Sequence, residues 1–365
     1  MTVNSVKIKN FRNITDLCFT ADEGVNVIYG ENAQGKTNIL ESLWLFTGCK
    51  SFRGAKDSDF IRFGEDFSKI NLEFSDNSRT KKSEITFCEK KKNVFHNGVQ
   101  LRSSAELIGS FYAVIFSPVH LSLIKDGPAS RRKFLDTALC QLKPSYAQNL
   151  AGYKRALLQR NALLKDLYLN TELYDVLDVW DDRLARHSAA VIKERLDYIT
   201  LLSEYSKIIY SGISENKEEF SVFYSRNEYK NEEITVRDIY LREVEKLKES
   251  RKEDIVLKTT TVGPHRDDLE ILINNVSARS FGSQGQQRSC ALALKLGESE
   301  IIKKITGETP VALLDDVMSE LDEKRQDYVL NHINDRQVFL TCCDPSQVLR
   351  LCGGKSFLIK DGEII

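Results

Sequence analysis

The sequence predicts an α/β protein, a mixed sheet flanked by helices, with a mainly helical lobe inserted into it. The stretch Gly30–Thr37 reads G-x-x-x-x-G-K-T between an apolar strand and an amphipathic helix, which is the setting of a phosphate-binding loop. Far downstream, a second apolar strand ends in Asp315 and Asp316. Between the two, apolar residues recur at helical spacing. The predicted bounds are residues 1–117 and 259–365 for the α/β unit, and residues 118–258 for the lobe.

Short apolar or alternating runs, bounded by turn residues, predict the strands of the α/β unit. Before the lobe these runs are Val3–Ile8, Leu17–Thr20, Val25–Tyr29, Lys69–Phe74, Glu84–Cys88, Val94–His96 and Ala113–Phe116. After the lobe they are Thr259–Val262, Leu269–Ile273, Val311–Leu314, Val338–Leu340, Lys355–Ile359 and Glu363–Ile365. Helical spacing predicts the helices of the same unit at Thr37–Thr47, Ser283–Ile305 and Lys324–Ile333.

The lobe is predicted to be helical because its apolar residues recur every three to four positions. The first helix opens at Arg131, and the further segments are helices at Ser145–Tyr168, Leu173–Ile209 and Val236–Glu249, with a strand at Phe220–Tyr224. No heptad pattern is sustained over several repeats, so a long coiled coil is not predicted.

Composition and charge restrict the function classes. With 365 residues and 41% hydrophobic content, the chain is long enough for two domains with a substantial core. The net charge is −1, so DNA binding requires a local basic patch. No apolar run approaches the roughly 18 residues of a membrane helix, and Met1–Ser5 lacks the features of a signal peptide. We expect a cytoplasmic protein with no membrane partner, and eight cysteines that are reduced and mostly buried.

The phosphate-binding loop predicts ATP as a ligand. Glycines let backbone N–H groups close around phosphate oxygens, and the N-terminus of the following helix adds a favourable dipole. Lys36 would reach the β- and γ-phosphates as a catalytic residue, and the hydroxyl of Thr37 would bind Mg²⁺. A chance glycine turn before a helix is the alternative. The nucleotide-binding candidates are Gly30, Glu31, Asn32, Ala33, Gln34, Gly35, Lys36 and Thr37.

The run Pro310–Asp316 has the pattern of a Walker B strand, in which an apolar strand ends in carboxylates. A buried parallel strand would deliver Asp315 to the Mg²⁺ held by Thr37. Asp316 would then lie near the attacking water as a general base. A strand that happens to precede an acidic turn is the alternative.

A polar, glycine-bearing stretch precedes the long helix that starts near Ser283. Its residues Ser283, Gln284, Gly285 and Gln286 resemble the signature loop of ABC-type ATPases, which binds the γ-phosphate of ATP held by a second subunit. Ser283 and the first helix amides can hold an anion. Ser319 to Asp322 resembles the D-loop of the same superfamily, which crosses the same dimer interface. For the signature stretch alone, a plain N-capped helix is the alternative.

Longer stretches resemble the RecF family of bacterial recombination and gap-repair ATPases. They span nearly the whole chain: Lys7–Asn13, Gly30–Thr37, Lys50–Arg53, Arg131–Asp136, Val262–Asp268, Ser283–Arg288 and Leu314–Asp322. The runs Gly-Pro-His-Arg-Asp-Asp and Ser-Gln-Gly-Gln-Gln-Arg are specific to this family rather than to phosphate-loop proteins in general. The resemblance implies an ABC-type ATPase head with a mainly helical lobe.

The resemblance also implies a function and partners. Proteins of the RecF family bind DNA, dimerise around two ATP molecules, act with RecO and RecR to load RecA at single-strand gaps, and support the SOS response. For this chain the resemblance implies ATP and Mg²⁺ as cofactors. The implied partners are DNA, a second copy of the chain, and mediator proteins of the RecR and RecO type.

Two departures from ABC-type ATPases in general predict slow hydrolysis. Where transporter ATPases carry a histidine after the last core strand, this chain has Leu340–Asp344, in which Thr341 is the nearest candidate to sense γ-phosphate. The usual Walker B glutamate is Asp316 here, one methylene shorter. Both differences favour a slow switch over a fast motor.

The segment from Lys125 to Lys165 is the predicted DNA surface. It carries nine basic and two acidic residues, a net charge of +7, and phosphate contacts supply most non-specific DNA affinity. A solvated helical surface is the alternative, and the basic run could instead contact nucleotide or the other lobe. The DNA-binding candidates are Arg131, Arg132, Lys133, Lys154 and Arg155.

Two other functions are compatible with a phosphate-binding loop. The nucleotide-binding subunit of an ABC transporter is expected to have a histidine after the last strand, a glutamate after Asp315 and a short segment between the phosphate-binding loop and the signature stretch. A structural clamp of the SMC type would want long heptads. This chain has none of these features, so a DNA-repair ATPase is the favoured function.

Overall fold

The structure is a computed structural model, and it describes residues 1–89, 91–167, 174–226, 229, 233–346 and 353–365. Its strands form a six-stranded antiparallel sheet, a six-stranded sheet that is mainly parallel, and a small three-stranded sheet. Within the described residues no helix is both long and apolar enough to span a bilayer.

One of the six-stranded sheets is antiparallel throughout. Its strands, in spatial order, are β2 (Ile14–Thr20), β1 (Thr2–Phe11), β4 (Phe67–Ser75), β5 (Thr80–Cys88), β6 (Lys91–His96) and β7 (Val99–Leu101). Burial alternates along β4, with every second residue from Ser68 to Phe74 fully buried. One face of this sheet therefore packs on the core and the other meets solvent.

The parallel sheet carries the predicted nucleotide loop. In spatial order its strands are β15 (Glu363–Ile364), β14 (Lys355–Lys360), β3 (Val25–Tyr29), β13 (Val338–Cys342), β12 (Val311–Asp315) and β8 (Ala113–Phe116). All neighbouring pairs are parallel except β14 with β15. β8 and β12 are buried along their whole length, as expected for strands covered on both faces.

Each face of the parallel sheet joins a different apolar core. Ile28 and Phe339 point into a core shared with the antiparallel sheet and with α1 (Lys36–Trp44). Val27 and Leu340 point into a core shared with α8 (Gln284–Thr306) and with the inserted helices. Side chains alternate between the two faces of a strand, so adjacent residues of β3 and β13 serve both cores.

The helices of the inserted segment are α2 (Pro118–Leu121), α3 (Pro128–Leu142), α4 (Pro144–Leu167), α5 (Val176–Ile213) and α6 (Val236–Leu257). The small sheet follows the order β11 (Val276–Ser277), β10 (Leu269–Ile273), β9 (Phe220–Tyr224), and α7 (Ala278–Phe281) and α9 (Glu323–His332) complete the helices. β9 and β10 pair antiparallel across the second predicted boundary of the lobe. The division at residues 118 and 258 stays a prediction.

The predicted strand at Thr259–Val262 is wrong. The amides of Thr260 and Thr261 donate to the side chains of Asn161 and Asp254, each at 2.8 Å, rather than to a neighbouring strand. Polar side chains thus take the donors that a strand ladder would need. The short elements β7, β11, α2 and α7 were not predicted. The predicted helix ends at Tyr168 and Leu173 fall outside the described residues.

The prediction of mostly buried cysteines is also wrong. All of the described cysteines are free thiols. Of these, Cys290 is fully buried, whereas Cys18 and Cys343 are exposed. The others are half-buried: Cys49, Cys88, Cys140 and Cys342. The scattered spacing of the cysteines along the sequence did not indicate which of them are buried.

Candidate nucleotide site

The predicted phosphate-binding loop connects β3 to α1, and glycine is required at two of its positions. The backbone is left-handed at Gly30 (φ 148°) and Gly35 (φ 106°). A Cβ at Gly30 would lie 2.3 Å from the carbonyl oxygen of Ile359, and one at Gly35 would lie 2.7 Å from Oδ1 of Asn13. No side chain in the described part of the chain caps the N-terminus of α1. Its first N–H groups are therefore available to an anion.

Lys36 is held across this loop. Its Nζ donates to the carbonyl oxygens of Gly30 at 2.6 Å and Glu31 at 2.8 Å, and the residue is 9% exposed. Both acceptors are neutral, so neither of them offsets the positive charge that would attract phosphate. The side chain is placed for the role that the sequence predicts, although that role stays a prediction.

Asp315 and Thr37 meet, as the Walker B interpretation requires. The hydroxyl of Thr37 donates to Oδ1 of Asp315 at 2.7 Å. β13 lies between β3 and β12, and its Thr341 donates to the same oxygen at 3.0 Å. Burial raises the pKa of Asp315 above its usual value, although the hydrogen bonds from the two threonines oppose this rise.

These oxygens fit a magnesium ion. Neighbouring ligands in an octahedron with bonds of about 2.0–2.1 Å lie about 2.9 Å apart, close to the 2.7 Å between the oxygens of Thr37 and Asp315. Among the described residues no group of three or more His, Cys, Asp or Glu side chains could hold a metal ion.

Asp316 is exposed and has an unusual backbone. Its φ is 50°, in the left-handed region that aspartate tolerates better than most residues. Its N–H donates to the hydroxyl of Thr341 at 2.9 Å, and Ser319 donates to its carbonyl oxygen at 2.8 Å. Thr341 thus holds both carboxylate residues in place, a structural role that the sequence did not reveal. Its role in sensing γ-phosphate stays a prediction.

The signature stretch begins α8 with a capping box. Oγ of Ser283 accepts from the N–H of Gln286 at 3.2 Å, and the Gln286 side chain accepts from the N–H of Ser283 at 2.8 Å. Gln286 also donates to Glu218 at 2.6 Å. Ser283 and Gln284 are exposed, and Gly285 is half-buried. The capped helix therefore presents its N-terminus to solvent, where a partner could reach it.

The predicted D-loop residues lie between β12 and α9. Ser319 is bound to Asp316 through the bond described above. Asp322 caps α9 by accepting from the N–H of Arg325 at 3.1 Å. The D-loop thus runs directly from the Walker B carboxylates to an exposed helix start.

A second group of polar residues supports the loop, and the sequence did not identify it. Asn13 donates to the carbonyl oxygen of Ala33 at 3.1 Å and accepts from Asn38 at 2.7 Å. Arg53 donates to the other side of the Asn38 amide group at 3.0 Å. Two of the stretches that resemble the RecF family, Lys7–Asn13 and Lys50–Arg53, therefore converge beside α1.

Glu41 explains part of this convergence. It is fully buried on α1, and its Oε2 lies 2.7 Å from Nη2 of Arg12 and 3.9 Å from Nη1 of Arg53. Its other oxygen accepts a bond from Ser51. A buried carboxylate needs a cation or hydrogen-bond donors from elsewhere in the chain, and Arg12 and Ser51 supply them here.

Comparison with known proteins decides the family. The family described as RecF/RecN/SMC N terminal domain matches residues 2–351. The DNA replication and repair protein RecF of Agathobacter rectalis is 42% identical over 343 residues, which cover 94% of this chain and 92% of that protein. The chain belongs to the RecF family.

Solved structures agree with this assignment. A structure of the recombination mediator protein RecF-ATPrS in the RecFOR pathway matches with a TM-score of 0.93 and 37% identity, and covers 99% of this chain and 97% of its own. The Smc head domain from Pyrococcus furiosus matches with a TM-score of 0.57 at 14% identity, covering 100% and 96%, and shows the fold alone. The predicted RecF resemblance and the ABC-type ATPase fold are confirmed.

The run that is specific to RecF-like sequences, residues 262–268, anchors the lobe. Asp267 binds Arg226 through both carboxylate oxygens at 2.9 Å, and Asp268 binds Arg131. His265 lies 2.5 Å from the hydroxyl of Tyr153 on α4. This RecF-family signature therefore ties α3, α4 and the segment that follows β9 together.

The structure contradicts Arg131 as a DNA contact. The residue is 3% exposed, and its Nε and Nη2 donate to the two carboxylate oxygens of Asp268, each at 2.7 Å. Nη1 donates to the carbonyl oxygen of Asp126 at 2.7 Å. These bonds engage the whole guanidinium inside the protein, so DNA phosphates cannot reach it.

The other predicted DNA contacts remain predictions for this RecF-family chain. Lys133, Lys154 and Arg155 are exposed, and Arg132 is half-buried with one bond to the carbonyl oxygen of Asp267 at 2.8 Å. Within the same segment Arg160 is fully buried in ion pairs. The charge available at this surface is therefore smaller than the +7 counted from the sequence.

Proposed function

We propose that this chain is an ATP-dependent DNA-binding protein of replication, recombination and repair. It binds ATP with Mg²⁺, hydrolyses ATP slowly, and uses the nucleotide to control dimerisation and DNA binding. It acts in the cytoplasm with RecO- and RecR-type proteins to load RecA at gaps, and it supports the SOS response. The observation that carries the proposal is the 2.7 Å hydrogen bond between Thr37 and Asp315, two residues far apart in the chain.

Relatives support the biological part of the proposal. The relative from Agathobacter rectalis is named a DNA replication and repair protein, and a solved relative is described as a recombination mediator in the RecFOR pathway. The similarity to the relative from Agathobacter rectalis covers 94% of this chain and 92% of that protein. We therefore transfer the function of the relative to this chain.

The residues of the site divide the work of ATP hydrolysis. The loop amides and Lys36 bind the phosphates and neutralise charge that develops on them. Thr37 and Asp315 would hold Mg²⁺, which would act as a Lewis acid toward the bound phosphates. Asp316, exposed beside this pair, orients the attacking water and accepts its proton. Thr341 positions both carboxylates through its hydroxyl group.

Dimerisation completes the site. The Ser283 end of α8 and the phosphate-binding loop each present helix N–H groups to an anion. Two chains related by a two-fold axis can place the loop of one chain opposite Ser283 of the other, which buries two ATP molecules in an isologous interface. ATP then stabilises the dimer by mass action, and hydrolysis releases it.

A single substitution tests this arrangement. Ser283→Arg places a bulky cation at the exposed start of α8 and leaves the phosphate-binding loop intact. We expect the variant to bind ATP but to remain monomeric and inactive. Sedimentation velocity with and without ATP measures the mass. An ATP-independent mass for the unmodified chain, or an ATP-induced dimer of the variant, would refute the proposed dimer that buries two ATP molecules.

The matched control is Thr235→Arg. Thr235 is exposed and begins α6 with the same kind of capping box, closed by Asp238. Both substitutions remove an N-cap, at about 1 kcal/mol of stability, and both add an arginine. The control variant should still dimerise with ATP, so a loss confined to Ser283→Arg reports on the interface rather than on folding.

A further inference from the structure

One carboxylate joins the signature stretch to the 38-residue helix α5 of the lobe. Glu218 is half-buried and lies in the connection between α5 and β9, residues 214–219. Its Oε1 accepts from Nε2 of Gln286 at 2.6 Å, and its Oε2 accepts from the hydroxyl of Tyr210 at 2.6 Å. The two oxygens of this carboxylate are therefore committed, one to α8 and the other to α5.

The amide group of Gln286 is fixed at both ends. Its oxygen accepts from the N–H of Ser283 at 2.8 Å, and its nitrogen donates to Glu218. Without an acceptor for the nitrogen, the amide would be free to turn and to present its NH₂ group to Ser283, where two donors would meet. Glu218 therefore sets the orientation in which Gln286 closes the capping box.

The capping box in turn directs the hydroxyl group of Ser283. A serine hydroxyl has one hydrogen to donate and two lone pairs. The N–H of Gln286 takes a lone pair of Oγ at 3.2 Å, which leaves the hydroxyl hydrogen for a further acceptor. Because Ser283 is exposed, a phosphate oxygen held by a second chain can reach that hydrogen.

On the lobe side, the donor to Glu218 is held firmly. Tyr210 is fully buried on α5, and its ring stacks on that of Phe220 in β9, with the ring centres 4.7 Å apart and the planes 15° apart. Burial and the hydrogen bond to Glu218 raise the pKa of the Tyr210 hydroxyl above its usual value, so the hydroxyl stays protonated and donates. A displacement of this end of α5 would therefore move the acceptor on which Gln286 depends.

Two other carboxylates of the same connection pair at the surface. Glu215 lies 3.0 Å from Lys324, and Glu219 lies 3.6 Å from Lys207. These four side chains are at least 51% exposed, and such pairs contribute little to stability. Glu218 differs from both carboxylates, because its partners are a buried tyrosine and a residue of the signature stretch.

We propose that Glu218 is a positioning residue, which holds the signature stretch in the orientation that receives the ATP of a second chain and ties that orientation to α5. The inference rests on the proposed ATP-dependent dimer and adds the lobe residue that prepares the contact between the chains. Glu218 acts through Gln286 rather than on the nucleotide. The position of α5 would then regulate dimerisation without any change in the phosphate-binding loop.

Sedimentation velocity at saturating ATP and several protein concentrations measures the dissociation constant of the dimer. In Glu218→Ala, Gln286 loses its acceptor, and we expect this constant to rise about tenfold or more, the size of one lost hydrogen bond to a charged group. Glu218→Gln should recover most of the loss, because its amide can accept from Gln286 and donate to the oxygen of Tyr210. Glu219→Ala is the matched control at the adjacent exposed carboxylate, and it should dimerise like the unmodified chain.

A double-variant cycle separates positioning from folding. If Glu218 acts through Gln286, Glu218→Ala should weaken the dimer no further in a chain that already carries Gln286→Ala. The ATP affinity of Glu218→Ala, measured at protein concentrations too low for dimerisation, should equal that of the unmodified chain. Fully additive effects of the two substitutions, a loss of this affinity, or an equal loss of dimer in Glu219→Ala would overturn the inference.

Tyr210→Phe tests the tie to α5. The ring remains stacked and only the hydroxyl is removed, so the dissociation constant of the dimer should rise by about threefold or more. Tyr205→Phe is the control, because Tyr205 is half-buried on the same helix. Equal dimerisation of the two tyrosine variants would show that α5 does not influence the signature stretch through this bond, and would overturn that part of the proposal.

The outcomes also distinguish this inference from the proposed function. An unmodified chain that remains monomeric with ATP would refute the proposed dimer, and the role of Glu218 with it. An ATP-induced dimer that is equally tight in the unmodified chain and in Glu218→Ala would refute the positioning role alone.

Discussion

The nucleotide site and the helical lobe treat charged side chains in opposite ways. At the site, the oxygen atoms that accept hydrogen bonds from Lys36 are neutral carbonyl oxygens. Asp316 is exposed. In the lobe, Arg160 has no exposed surface and binds Asp181 and Asp254, each at 2.6 Å. In the first region the charged side chains can interact with a ligand. In the second region they pair with opposite charges inside the protein and hold the helices together. A charged residue is thus functional or structural according to what already neutralises it.

The lobe repeats this pattern around several arginines. Arg226 binds Glu243 and Asp267. Arg195 lies 2.8 Å from Asp136. Removing one partner of such a buried pair strands an uncompensated charge, which destabilises more strongly than losing the pair as a whole. The lobe is therefore expected to respond to charge substitutions through stability, and the nucleotide site through binding and turnover.

The largest effect is expected from Asp316→Asn. This change removes an exposed carboxylate, so we expect the fold to be unaffected. Turnover should fall by about 10²- to 10⁴-fold, because the group that accepts the proton of the attacking water is lost. Steady-state ATP hydrolysis and a calorimetric ATP titration measure the two properties. Asp344→Asn, at an exposed carboxylate just beyond β13, should change neither. Unchanged hydrolysis in the first variant would remove Asp316 from catalysis.

Arg160→Ala should destabilise the fold by about 3–5 kcal/mol, because Asp181 and Asp254 would remain buried without their cation. Denaturant unfolding measures the loss. The comparison variant is Arg186→Ala, in which a surface pair with Asp182, with side chains 67% and 40% exposed, is removed. That pair is expected to contribute less than about 1 kcal/mol. Equal losses in the two variants would contradict the distinction between buried and surface charges.

Lys36→Met should weaken ATP binding by about 100-fold, because the charged group bound to phosphate is lost. The melting temperature should change little, since the oxygen atoms that accept from Lys36 are carbonyl oxygens of its own loop. Lys355→Met is matched to it, because Lys355 also donates to a carbonyl oxygen, that of Thr20 at 2.8 Å. Wild-type ATP affinity in Lys36→Met would refute the loop assignment.

The smallest effects are expected at the DNA surface. Lys154→Ala and Arg155→Ala should each flatten the salt dependence of duplex binding by about 0.9 units of slope per lost phosphate contact. Arg131→Ala should instead lower stability, since it leaves Asp268 unpaired. Binding isotherms at several salt concentrations test both statements. An unchanged slope in Lys154→Ala and Arg155→Ala would move the DNA surface toward Lys7, Lys9 and Arg53.

The sequence by itself determined the order and chemistry of the nucleotide motifs. Spacing within Gly30–Thr37 and the position of Asp315 after an apolar strand depend on local backbone geometry, which a short stretch of residues carries. The same holds for the capped start of α8 at Ser283. These motifs were enough to predict the RecF family and the ABC-type fold, because each level of the pattern agreed with the others.

Only the tertiary structure decided which charged residues are free to act. Arg131 and Lys133 are separated by one position on a basic helix, yet one is buried against Asp268 and the other is exposed. Thr341 likewise bridges Asp315 and Asp316 from a separate strand. A side chain's availability depends on desolvation and on counter-charges brought from distant parts of the chain, and neither is encoded in its immediate neighbours.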